Sequence, residues 1–263
     1  MTADLHALRE RSRRTRDVLL VLSVSDLRTR YGRGGMRAVK WFLDPFAALG
    51  VYLVLIAVVL QKGSEATGLV LVCAIVPFQL VMVGSVVSMQ SVLRRGSIVL
   101  NMSFPRILIP FSAIVTESIA FSASLVMLPI MMAVYGVAPT PAALWLIVAI
   151  LLTVVVALSL AYPAALFGLW YPELVPFAAS VIRTLFFLAP GLIALSQITG
   201  TARDVMPFNP LTGLFELYRD ALLYGHAPPA WQILGPLGFA VALLLVVVPV
   251  YRREQASFSK LIG

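Results

Sequence analysis

The chain has 263 residues, of which 60% are hydrophobic and 12% charged, with a mean hydropathy of +0.95. Soluble domains average about 45–50% apolar and about 25% charged, so a water-soluble globule is excluded and lipid must solvate much of the surface. The formal net charge of +8 does not point to nucleic acid, because ten of the 20 Lys and Arg residues lie in residues 1–40, directly before the first apolar run. A basic flank beside apolar spans is the pattern that orients membrane proteins.

The one cysteine, Cys73, excludes an internal disulfide and a Cys-based zinc site, and His6 and His226 each lack a second ligand at metal-binding spacing. No metal, no cofactor and no catalytic residue is expected. A Gly-x-x-x-x-Gly-Lys-Ser/Thr loop is absent, so any ATP and magnesium would sit on another subunit. Val83-Gly84-Ser85 superficially suggests a serine nucleophile, but no histidine lies in any span to activate it; small residues that pack helices account for it.

Residues 1–40 read as a basic cytoplasmic tail. Its first apolar stretch, Val18 to Val24, is short, contains Ser23 and runs into Ser25-Asp26-Leu27-Arg28, so it is not expected to be a cleaved signal peptide. Leu5, Leu8, Val18, Leu19, Leu22 and Leu27 fall on one helical face, and Arg9, Arg13, Arg16, Asp26 and Arg30 on the rest, as in a helix lying along the membrane surface. Two uses stay open: a plain anchor, or a gate at which Arg28, Arg30, Tyr31 and Arg33 grip a phosphorylated lipid headgroup through paired hydrogen bonds.

Six stretches approach the roughly 20 apolar residues that a bilayer-crossing helix needs. They are Trp41 to Leu60, Thr67 to Leu93, Ile107 to Tyr135, Ala142 to Trp170, Leu174 to Ile198 and Ile233 to Val250. Pro110 and Pro129 predict tilt or kinking in the third. Segment 199–232 mixes Pro, Gly and polar residues with short apolar pieces and reads as broken, partly re-entrant helices. Residues 251–263 form a basic C-terminal tail. With both termini cytoplasmic, sixteen Lys and Arg fall inside and only Lys62, Arg203 and Arg219 outside, with Arg183 within a span. No internal repeat is evident, which weighs against transporter architectures built on repeats.

Charge deep in a span needs a reason. Glu117 and Arg183 lie at similar depth, about 15 Å from Ile107 and about 14 Å from Leu174, which suggests an ion pair fixing spans three and five, or else a proton or substrate relay. Aromatic residues along the spans serve as belts and packing, or line a conduit for sugars; Phe121, Tyr162, Phe167, Phe186 and Phe187 are the conduit candidates.

Three motifs in order carry a family resemblance. Asp26-Leu27-Arg28-Thr29-Arg30-Tyr31-Gly32 precedes a Trp and then Asp44-Pro45; Phe104-Pro105-Arg106 follows the second span; Asn209-Pro210-Leu211 with Arg219 precedes the last. Over about residues 18–250 this order resembles the type-2 ABC exporter permeases that move polysaccharides of the O-antigen, teichoic-acid or galactan type. Lys40 stands where that family has its Trp, with Trp41 one residue on, and Gly34-Gly35 and Tyr171-Pro172-Glu173 also depart from its pattern.

The resemblance implies an all-α integral membrane fold of six spans over 41–250, with an N-terminal interfacial helix. It implies a homodimer, each copy carrying a separate P-loop ATPase, that exports a polyprenyl-linked polysaccharide across the cytoplasmic membrane. Segment 93–106, with Arg94, Arg95, Asn101, Phe104, Pro105 and Arg106, would be the coupling helix. Segment 199–232, with Asn209, Pro210 and Arg219, would shape the exit. A lipid or drug substrate on the same fold, or a stand-alone secondary transporter, are the competing readings.

Overall fold

A computed structural model describes residues 17–27, 67–96 and 104–255, with the single positions Ala47, Gly50, Val51, Val54 and Phe258. The rest of the first predicted span, Arg28, Arg30, Tyr31, Arg33 and Asn101 lie outside the described residues. Among those described the chain is all-helical, with no strand.

Residues 17–27 form α1. Helix α2, Thr67–Arg94, is the centre of the fold. It is apolar on every side, as a helix surrounded by other helices must be, and Leu69, Leu71, Val72, Cys73 and Val76 are fully buried. Its most extensive partner is α5, Trp145–Trp170. The two backbones close at Gly168, where a Cβ would overlap the Met89 carbonyl. Only glycine permits that approach, which is how small residues bring membrane helices together.

The third predicted span is interrupted, as its prolines suggested. Helix α3, Leu108–Ser124, gives way at Leu125 and Val126 to α4, Met127–Val134. Pro110 lies in the first turn of α3, where no N–H is required. Pro129 cannot donate to the Leu125 carbonyl, and the amide of Leu128 takes that bond at 3.1 Å, tightening the turn.

The fifth predicted span differs from expectation. Helix α6, Val175–Leu188, has 14 residues, about 21 Å against a hydrocarbon core of about 30 Å. Pro190 forces Ala189 into an extended conformation at φ −95° and ψ 160°, and the chain resumes only as a short 3-10 turn, Leu195–Gln197. Segment 199–232 is broken as predicted: α7, Thr201–Val205, then α8, Pro210–Arg219, running into a π turn, Asp220–Tyr224. Gly225 ends it at φ +70°, a left-handed position that costs other residues about 1–2 kcal/mol. Helix α9, Ala230–Glu254, is the last long helix among the described residues.

Among the described residues, four helical stretches are long and apolar enough to cross a membrane: Gly68–Arg94, Leu108–Val134, Pro141–Trp170 and Ala230–Glu254. The protein is therefore a multi-pass membrane protein. Leu151 is 62% exposed on α5 and Leu245 72% on α9, and only hydrocarbon solvates such faces without penalty.

Candidate functional site: the basic-end junction and the 209–232 segment

The helix ends bearing Arg94, Arg95, Arg252 and Arg253 meet at one junction. Arg95, only 6% exposed, turns inward. Its guanidinium donates to the Ser112 hydroxyl at 2.7 Å and the Ile109 carbonyl at 3.2 Å, and pairs with the Asp26 carboxylate. Burial pulls its pKa down, opposed by the charge of Asp26. Asp26 thus lies on the packed side of α1 together with Leu22 and Leu27, while Leu20, Val21 and Val24 are exposed. This corrects the expectation that Asp26 belongs to the solvated face.

Of the proposed coupling residues, Arg94 is exposed, and Pro105 lies exposed on the turn before α3. Phe104 packs against the cluster of Val92, Ile109, Leu169 and Tyr251. Arg106 donates to the Gln255 carbonyl just past α9, and its own carbonyl accepts the Tyr251 hydroxyl at 3.2 Å. Tyr251 stands edge-on to Tyr162 and to Phe258, each at 5.4 Å. Segment 94–106 is therefore tied at one end to α1 and at the other to the end of α9. Asp26 and Tyr251 were missed as partners because nothing in local sequence links positions so far apart.

Glu117 is buried beside a cavity of about 550 Å³ that Asp26, Gln90, Arg94 and Arg95 also line. Arg183 lies exposed on α6. The structure does not bring the two together, which corrects the proposed ion pair. Equal depth on two helices leaves their rotation free, and α6 turns position 183 outward. Among the conduit candidates, Phe121, Tyr162 and Phe186 are buried in the packed interior, and Phe186 contacts Phe78 with ring centroids 5.2 Å apart. Phe187 is 49% exposed, and Phe167 is half-buried.

The 209–232 segment holds a second polar cluster. Asn209 caps α8, its side-chain oxygen accepting from the Leu211 amide at 3.0 Å, and Pro210 supplies the first helical residue. Every residue from Leu211 to Arg219 is then buried. Arg219 is fully buried and donates to Glu216 at 2.6 Å, to the carbonyls of Pro190 and Gly191 at 2.8 and 3.3 Å, and to the Val70 carbonyl at 3.2 Å. Glu216 also accepts the Leu195 amide at 2.9 Å. The break that Pro190 makes would leave carbonyls unsatisfied in an apolar interior, and Arg219 satisfies them.

Asp220 continues the cluster, accepting from the Gln232 amide at 2.6 Å and lying 3.5 Å from the His226 ring. Burial pushes the Asp220 pKa up, opposed by the Gln232 hydrogen bond and the charges of His226 and Arg219. Glu216 was absent from the sequence reading. Its signal was there: opposite charges three residues apart inside an apolar piece form a helical pair.

No family model matches the chain. Curated proteins do. It is 25% identical over 249 residues to the O-antigen export system permease protein RfbA of Myxococcus xanthus, covering 93% of this chain and 95% of that one. Two proteins of the same name from Klebsiella pneumoniae are 22% and 23% identical over 249 residues, each covering 94% of this chain and 95% of its own length. The resemblance carried by three separated motifs thus extends along nearly the whole chain: it is similar throughout to O-antigen export system permeases.

Proposed function

We propose that this chain is the membrane-spanning permease subunit of an ATP-driven exporter, moving a lipid-linked polysaccharide across the cytoplasmic membrane with both termini in the cytoplasm. The observation that carries the reading is end-to-end similarity to three O-antigen export permeases in a chain with four membrane-length helices among the described residues. The permease makes and breaks no bonds. ATP and magnesium belong to a P-loop subunit, and two copies of the chain surround the path.

In this reading Arg94 and Pro105, both exposed, face the ATPase, while Arg95 and Arg106 carry its motion inward. Movement of the segment pulls on α1 through Asp26 and on the end of α9 through Gln255 and Tyr251. Arg28, Arg30, Tyr31 and Arg33, just beyond α1, receive the phosphorylated headgroup. Segment 199–232 shapes the exit.

The test is purification of the tagged chain from its native membrane in mild detergent. A P-loop ATPase in equal amount, whose hydrolysis is lost when segment 93–106 is mutated, is the expected result. A chain that purifies alone and transports without ATP overturns the reading. Replacing Arg30 and Tyr31 together is expected to reduce export with assembly intact.

A further inference from the structure

Arg183 belongs to neither polar cluster, and its depth makes that costly. Val175 clusters with Met89, and Phe186 meets Phe78, so α6 runs antiparallel along α2 with Arg183 level with Val81. That is the middle of α2, a 28-residue helix, about 20 Å along the axis from either end. Half of the hydrocarbon core is about 15 Å. Arginines near helix ends snorkel to the membrane surface, but this one stands at mid-membrane.

The face that carries it is polar. Arg183 is exposed, as are Ser180, Thr184 and Phe187, and positions 180, 183, 184 and 187 form one helical stripe. The exposed Phe177, Val181 and Leu188 form an apolar stripe beside it. The Ser180 hydroxyl donates to the Pro176 carbonyl at 3.1 Å, and the Thr184 hydroxyl to the Val181 carbonyl at 2.7 Å. Lone pairs on both oxygens remain for water or a sugar hydroxyl.

No acid of the chain is placed to neutralise this charge. Among the described residues Arg183 takes part in no ion pair. Glu117 lies beside the charged cavity, and Glu216 holds Arg219. The sequence from Pro45 to Leu60, the body of the first predicted span, contains no Asp or Glu. A mid-membrane cation that lipid cannot solvate and the chain does not pair must face water.

We infer that the Ser180, Arg183 and Thr184 face of α6 lines a water-filled path at mid-membrane, where Arg183 selects glycans bearing carboxylate or phosphate groups. The inference rests on the exporter reading above and adds the class of polymer that passes. Arginine binds both groups through paired hydrogen bonds, and arginines lining a pore favour anions.

The test reconstitutes the full-length chain, with any subunit that co-purifies, in vesicles of phosphatidylethanolamine and phosphatidylglycerol. Ser180→Cys and Val181→Cys variants are treated with anionic sulfonatoethyl or cationic trimethylammonioethyl methanethiosulfonate. The unsubstituted chain, whose Cys73 is fully buried, is the blank. Ser180→Cys is expected to react and Val181→Cys far more slowly. Relative to a free thiol in solution, Ser180→Cys is expected to favour the anionic reagent about tenfold, because a fixed charge concentrates its counter-ions. Adding Arg183→Gln is expected to abolish that preference, and Arg183→Lys to keep it. If the Gln variant does not accumulate, the preference measured with Arg183 intact decides. In the native host Arg183→Gln is expected to lower export with assembly intact, and the exported repeat unit to carry acidic groups.

An unreactive Ser180→Cys overturns the inference in favour of a lipid-facing surface or, where a disulfide joins two copies, of a protomer contact. Equal reactivity of the two cysteines, or an anion preference that survives Arg183→Gln, removes the role of Arg183. A neutral repeat unit overturns glycan selection and assigns the anion to the carrier's phosphates. Charge-selective labelling of a chain that transports without ATP refutes the exporter reading and leaves the anion path standing.

Discussion

Arg219 and the arginines of segment 94–106 have the same chemistry and opposite circumstances. Arg219 is fully buried, with four acceptors on three separate stretches of chain. At the basic junction Arg94 is exposed, Arg106 is half-buried, and only Arg95 is buried. A saturated guanidinium in an apolar interior holds a fold together, because each acceptor it abandons is left unsatisfied. A half-exposed one near a membrane face is free to change partner at small cost. The 209–232 segment is thus built as a fixed post, and the basic junction as a joint.

The sharpest test of that contrast is Arg219→Leu. It strands Glu216 and the Pro190 and Gly191 carbonyls, and a loss of about 3–5 kcal/mol is expected, read as loss of monodisperse protein by size-exclusion chromatography. Glu216→Gln keeps an acceptor oxygen and is expected to cost clearly less; equal losses would show that the charge pair, not the acceptors, decides.

Next in size is Gly168→Ala, where the methyl meets the Met89 backbone. Overpacking of this kind costs about 1–3 kcal/mol, measurable as a lower thermal midpoint in detergent. Asp26→Asn at the junction is expected to cost about 1 kcal/mol in stability yet, in the exporter reading proposed above, to reduce export strongly with assembly intact. A stability loss as large as that of Arg219→Leu would erase the distinction between post and joint.

The smallest effect is one of pH. Burial holds the folded-state pKa of Asp220 above its ordinary value, which is about 3.9. The folded state therefore binds this proton more tightly than the unfolded chain. The contribution is present in full below the ordinary pKa and is lost as pH rises through the raised one. Asp220→Asn is expected to flatten the pH dependence of the midpoint above pH about 4, and an unchanged slope would assign it to other groups.

The regions differ also in how legible they were. Prolines announced the break in the third span and the fragmentation of 199–232, because a missing N–H is a local property. Pro190 carried the same warning for the fifth span, but the apolar run to Ile198 concealed it. The pairing of Glu117 with Arg183 failed because depth along a helix says nothing about its rotation. Glu216 escaped notice although Arg219, three residues on, had been singled out.

Composition, run length and short motifs are one-dimensional quantities, and they suffice to say that lipid is the solvent, where most membrane-length helices lie, which end is basic and which family the chain resembles. That Arg95 belongs to Asp26, Arg106 to the end of α9, and Arg219 to the carbonyls left by Pro190 emerges only from the packed helices. Those partners lie up to 149 positions apart. Their contacts follow from how helices rotate and pack, which no local pattern encodes.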